Sequence, residues 1–222
     1  MFSITYGLYT LSCHTHGLPD LYEDYNRHAE VVSEYGLKEP NETPQSESPC
    51  FVSISRSGYN DGWPFLVIVQ NYSPDCAGFH PGAIIIPETD ILLLGAGTRL
   101  LAYSLDPPSL LWEDDADFGF WGWDRYEDTV LMAAELEIAA WNTEGHKLWA
   151  RFMEPPWSYH VKEGVIFLDT SGRQSSFPLV TGPVEAIGRP PRAVGSKLAL
   201  RKLHRLRPEY TNAKRIRKPI AG

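Results

Sequence analysis

From residue 80 onward the chain alternates short apolar runs with tight polar breaks. The runs fall at 83–87, 91–95, 99–105, 110–113, 118–123, 129–134, 136–141, 146–153, 157–161, 164–169 and 173–178. The breaks are rich in turn formers: Asp106-Pro107-Pro108-Ser109, Asn142-Thr143-Glu144-Gly145 and Thr170-Ser171-Gly172. Short runs bounded in this way predict strands, and many strands at such spacing predict an all-β sandwich, barrel or propeller-like meander. Upstream, Phe51–Arg56 alternates and Phe65–Val69 is continuously apolar, with Asn60-Asp61-Gly62 between them. That pair predicts a β-hairpin with a long loop. Residues 20–35 read differently. Leu21, Tyr25, Ala29 and Val32 share one face at helical spacing. They predict a helix with Asp20 as N-cap, Glu23 completing a capping-box pattern and Gly36 as the stop. The polar, Pro/Ser/Glu-rich stretch 38–49 reads as a loop or linker.

Part of this pattern repeats. Asp90–Trp112 and Asp128–Trp149 each hold an apolar run, a short break and a second run ending in an aromatic, Tyr103 or Trp141. A turn and a Leu-Trp pair follow, and the closing tryptophans are 37 residues apart. A third unit from Gly164 keeps the strand–turn–strand shape without the Leu-Trp. Such a period implies stacked units. Leu101-Ala102-Tyr103 with Leu111-Trp112, and Ala139-Ala140-Trp141 with Gly145 and Leu148-Trp149, resemble the repeats of PQQ-like, quinoprotein-type β-propellers. The likeness covers about residues 84–180 and implies blade-like units. No quinone-site motif accompanies it, and no cofactor is expected. The fold expected is therefore mainly β: an antiparallel meander of blade-like units, partial propeller or sandwich, with one N-terminal helix and a basic C-terminal tail. The divisions expected are an N-terminal segment 1–50, a β-repeat domain 51–182 and a tail 183–222.

Charge changes the picture at the C-terminus. Of 222 residues, 20 are basic and 28 acidic, a formal −8. Residues 187–222 hold eleven of the bases and one acid, a formal +10, leaving −18 for the rest. Ser196–Arg207 reads as a basic helix carrying Arg201, Lys202, Arg205 and Arg207. It suits nucleic acid, an anionic surface or an acidic partner, although Tyr210 alone offers a stacking ring nearby. Three cysteines at irregular spacing are no disulfide framework and suggest a reducing, cytoplasmic setting. No run approaches a membrane span, and the first residues do not read as a signal peptide.

Several groupings could carry chemistry. Cys13 with His16, and Cys76 with His80, have short ligand spacings, but not those of a common zinc ribbon. Gly95-Ala96-Gly97-Thr98 lacks the Lys-Ser/Thr of a phosphate loop and reads as a hairpin turn. The richest segment runs from Glu113, Asp114, Asp115 and Asp117 through Trp121 and Trp123 to Asp124. Carboxylates beside tryptophans suit a carbohydrate platform or a glycosidic acid–base pair. They equally suit a rim that meets a basic protein, as an immunity-type inhibitor does. No triad or nucleophile elbow is present, so a non-catalytic protein-binding module is the leading expectation. Carbohydrate binding or processing, and nucleic-acid association through the tail, are the alternatives.

Overall fold

The computed structural model describes residues 2–15, 17–36, 48–72 and 80–184. The basic tail, apart from Pro183 and Val184, lies outside the described residues. Within them the protein is mainly β, with one short α-helix and four sheets that follow one another along the chain. The first sheet has the order β1–β2–β4–β5–β3, from β1 (Phe2–Tyr6), β2 (Tyr9–His14), β3 (Val31–Tyr35), β4 (Ser48–Arg56) and β5 (Leu66–Tyr72). It draws strands from both sides of residue 50. The second is the meander β6 (Gly82–Ile86), β7 (Ile91–Ala96), β8 (Arg99–Leu105), β9 (Pro108–Asp115). The third repeats it with β10 (Phe120–Tyr126), β11 (Thr129–Ala134), β12 (Glu137–Asn142) and β13 (Lys147–Phe152). The fourth has three strands: β14 (Trp157–Lys162), β15 (Val165–Thr170) and β16 (Arg173–Pro178). Every strand expected from 80 onward is present, with ends moved by a few residues.

The region before residue 36 departs from expectation. The helix α1 covers only Tyr22–His28, no side chain caps it, and Val31–Tyr35 is a strand parallel to β5. The backbone N–H groups of Glu30 and Val31 both donate to Phe65 O, which turns the chain onto the sheet edge. Adjacent β-branched Val31 and Val32 then sit where a pleated, half-buried surface suits them better than a helix does. Gly36 ends a strand rather than a helix.

The sheets stack through apolar faces. Leu11, Ile54, Leu66 and Ile68 of the first pack against Leu92, Leu94, Leu101 and Tyr103 of the second. Leu100 and Ala102 meet Val130, Met132, Ala139 and Trp141 of the third. Leu131, Ile138 and Ala140 meet Ile166, Leu168 and Phe177 of the fourth. Residues alternate along each strand, so the second and third sheets bury both faces, and this is why their strands read as continuous apolar runs.

The repeated Leu-Trp pair explains how sheets are joined. Each leucine is half exposed, and each tryptophan reaches across to the next sheet. Trp112 on β9 stacks on Trp141 (5.7 Å, 17°) and donates its indole N–H to Gly145 O at 2.6 Å. Trp149 on β13 meets Phe177 edge-on (5.4 Å, 88°) and donates to Leu179 O at 2.8 Å. The rings lie over glycines with positive φ, Gly145 (+77°) and Gly182 (+71°). A Cβ on Gly182 would come within 2.5 Å of the Trp149 ring.

The two outer faces of the stack differ. On the first sheet, Phe51, Val67 and Val69 are covered by Tyr22, Tyr25 and Ala29 of the helical segment. On the fourth, the outward rows are Ser158–Asp169–Gln174 and His160–Phe167–Ser176.

Replacing Gly182 by Ala adds both strain and overlap with Trp149, and is expected to cost about 1–3 kcal/mol in urea unfolding. Gly172→Ala is the control. Its φ is +81° but nothing lies within 4 Å of the added Cβ, so it should cost about 1 kcal/mol.

Candidate functional site

The acidic, tryptophan-bearing segment lies on β9, the loop after it and β10. Alternation along β9 sends successive acids to opposite faces. Glu113 turns toward the first sheet, where its Oε1 accepts from Arg99 Nε at 2.7 Å and the Arg99 guanidinium sits 4.7 Å from the Tyr35 ring. Asp114 turns toward the third sheet, where its Oδ2 is 2.7 Å from Lys147 Nζ. Asp114 thus ties the second sheet to the third, whereas Glu113 holds Arg99 within its own sheet against Tyr35 of the first.

Lys147 is the centre of a buried group. Its side chain is 6% exposed, with Asp114 on one side, Glu137 Oε1 at 3.7 Å on the other, and the Trp141 ring at 5.1 Å. Glu137 Oε2 accepts the backbone N–H of Asp117 at 3.1 Å, which fixes the loop after β9. Burial raises the Glu137 pKa above the ordinary carboxylate value, while Lys147 pulls it back. Neither Glu137 nor Lys147 was singled out from the sequence. The available signal was a lone glutamate at the head of the apolar run Glu137–Trp141.

The two tryptophans of β10 separate. A spacing of two predicts one shared face, but a β-bulge between Phe120 and Gly122 shifts the register. Trp123, opposite Met132, turns inward to Phe120 (5.4 Å) and Trp141 (5.4 Å). Its buried indole N–H has no partner among the described residues. Trp121 turns the other way and stacks on Trp157 at 5.2 Å and 18°. Trp157 in turn stacks on Tyr159 at 6.0 Å and 25°, and donates its N–H to Glu135 O. Tyr159 donates its hydroxyl to Asp124 Oδ2 at 2.5 Å, and burial and then Asp124 push its pKa up. Trp121 is the outermost ring of this ladder, 39% exposed. Three residues earlier, Phe118 is 69% exposed with φ +70°, a conformation bulky side chains rarely adopt.

The acid–base pair envisaged for glycosidic chemistry is not formed from Asp114 and Asp124. Asp114 faces the second–third sheet interface and Asp124 the third–fourth, with a whole sheet between them. Asp115 is exposed at the end of β9, its backbone N–H bonded to Asp114 Oδ1. Of the metal-ligand candidates, Cys13 is buried, His80 is exposed, and His16 and Cys76 lie outside the described residues. No three His, Cys, Asp or Glu side chains converge to hold a metal among the described residues. Arg201, Lys202, Arg205 and Arg207 also lie outside them. No described helix is long and apolar enough to cross a membrane.

No protein-family model matches the chain, and no curated protein matches it. Solved structures show loose likeness in their repeated antiparallel sheets. The computationally designed protein Ika8 is 10% identical, with a TM-score of 0.40 over 68% of this chain and 49% of its own. Hsv2 of Kluyveromyces lactis is 9% identical, with a TM-score of 0.28 over 49% of this chain and 35% of its own. BamB of Moraxella catarrhalis is 15% identical, with a TM-score of 0.36 over 62% and 42%. This chain thus spans half or less of the length of each.

The Lys147 group yields a pH prediction. Glu137 binds its proton more tightly in the folded than in the unfolded state. Its contribution to stability is therefore fully present below the unfolded value, near 4.5, and is lost as pH rises through the folded value. The urea-unfolding stability of the wild type, taken relative to Glu137→Gln, should fall between pH 4.5 and pH 7. Lys147→Met leaves two buried carboxylates unpaired and should cost about 3–5 kcal/mol at pH 7.

Proposed function

We propose that this chain is a non-catalytic protein-interaction module, a propeller-like row of four blades that presents an acidic, aromatic rim to a basic protein. The observation that carries this reading is the Trp121–Trp157–Tyr159 ladder. It offers a large ring already fixed in place, so little side-chain freedom is lost when a partner covers it. Half-exposed tryptophan is also the residue type most often found at binding hot spots. Phe118 stands on the same loop–strand segment.

The charge supports a basic partner. Residues 80–184 hold sixteen acids against six bases, and five of those bases are paired with acids or stacked on rings: Arg99, Arg125, Lys147, Arg151 and Lys162. Carboxylates around an aromatic anchor raise the on-rate for a cationic surface and disfavour acidic ones. An immunity-type inhibitor that masks a basic protein in a reducing cytoplasm is one form of such a module. The free face of Trp121 also suits the apolar face of a sugar ring. With Asp114 and Asp124 on opposite sides of a sheet, that second reading is binding without cleavage.

The test is capture of partners on the full chain at physiological salt after nuclease treatment, beside residues 1–186 and the Trp121→Ala variant. A basic protein retained by both wild-type forms and weakened at least tenfold by Trp121→Ala is expected. That loss corresponds to about 1.4 kcal/mol or more. Retention that is indifferent to Trp121, or that depends on the tail, would remove the rim from the binding surface.

A further inference from the structure

The first sheet contains two thiols within its stacking core whose chemistry the Trp121 surface does not use. Cys13 on β2 and Cys50 on β4 both face the second sheet, within the core shared with Leu92 and Leu94. Cys13 lies opposite Val52, so Cys50 is its diagonal neighbour, two residues along β4. Their sulfurs are 4.0 Å apart, and both thiols are free. The residues are 3% and 0% exposed. The pair is electrostatically unequal. The hydrogen bond from Cys50 holds the Cys13 thiol below its ordinary range against the opposing effect of burial. That same bond, with burial, pushes Cys50 up. Cys13 is therefore the sulfur that ionises first.

Access to Cys13 is narrow. A void of about 10 Å³ adjoins it, lined also by Phe2, Val52, Gly82 and Leu94. That is roughly the room one water molecule needs. Phe2, directly opposite Cys13 on the edge strand β1, lines the void and is 43% exposed.

We propose that Cys13 and Cys50 are a peroxide-sensitive dithiol, which a hydroperoxide converts to a disulfide joining β2 to β4. The Cys13 thiolate attacks the hydroperoxide. A sulfur–oxygen bond forms, the oxygen–oxygen bond breaks, and the departing oxygen leaves as an alcohol, or as water from hydrogen peroxide, after taking up a proton. Cys50 then attacks the Cys13 sulfenic acid. The sulfur–sulfur bond forms, the sulfur–oxygen bond breaks, and hydroxide leaves as water with the Cys50 proton. Two thiols lose two electrons in all and the hydroperoxide gains them. The sulfurs must close from contact to a bond of about 2.05 Å. A diagonal pair lies further apart than a directly opposed one, so closure slides β2 slightly along β4 and draws β1 with it.

The full chain carrying Cys76→Ser isolates the pair. It is reduced, exposed to hydrogen peroxide while folded, then unfolded for thiol counting and peptide mass mapping. The expected result is loss of both thiols, a mass lower by about 2 Da, and a Cys13–Cys50 peptide pair released by dithiothreitol. Iodoacetamide, too bulky for the void, should leave both thiols of the folded chain unmodified. Two thiols surviving peroxide that oxidises the urea-unfolded chain would overturn the proposal, as would oxygen addition without a cross-link. Peptide mapping of the unmutated chain gives the same readout if Cys76→Ser does not fold.

Discussion

A tryptophan crossing from one sheet to the next is the interaction on which this architecture rests. β-sheets stacked face to face through aliphatic side chains have no inherent register, because apolar contact is non-directional. Trp112 and Trp149 supply direction. Each indole N–H finds one backbone carbonyl on the following sheet, and each ring lies over a positive-φ glycine, which at Gly182 leaves no room for a Cβ. Polar ties then fix the seams. Arg125 grips both carboxylate oxygens of Glu88 between the second and third sheets. Tyr9 and Arg56 hold Asp90 and Asp106 between the first and second.

The repeat was visible in sequence because these latches require particular residue types at fixed places. An aromatic on the third strand and a Leu-Trp on the fourth recur in the second and third sheets, where each joins its sheet to a neighbour. The strands were legible for a similar reason: runs of five to eight apolar residues between Gly, Pro, Asn and Asp have few other uses. The first sheet was less legible. Its edge strand β3 joins β5 in parallel across some thirty residues, and no local pattern encodes such a pairing. The helical spacing of Leu21, Tyr25, Ala29 and Val32 held only for Tyr25 and Ala29, since Leu21 precedes the helix and is 49% exposed. It failed at Val32, where the chain had already been turned onto the sheet.

The candidate surface was half legible. Its residues were found, but their division into ties and display was not. Arg99 is 14 residues from Glu113, and Lys147 is 33 from Asp114. Only the fold shows that these acids are engaged in ion pairs, Glu113 within its sheet and Asp114 across to the next, while Asp124 is held by Tyr159. The bulge at Trp121 has the largest effect. One extra residue sends Trp121 to the fourth sheet and Trp123 to the second, so a pair that looked like one platform becomes an anchor and a core residue. Trp157, which orders that anchor, lies on a strand whose sequence gives no hint of the role.

A row of sheets in which one latch recurs, here at two of three junctions, has no built-in length. Every interior sheet offers the next the same apolar face and the same waiting tryptophan, so growth must be stopped chemically at each end. The first sheet is stopped by a lid of its own chain, with the rings of Tyr22 and Tyr25 sealing Phe51. The fourth is stopped by composition, since serine, glutamine, aspartate and histidine occupy positions that hold leucine and alanine in the sheets before it. The copy number of the unit is thus written in its terminators and not in its joints. Exchanging the polar rows of the last sheet for those of an interior one would leave a broad apolar face bare, the kind of surface through which copies associate.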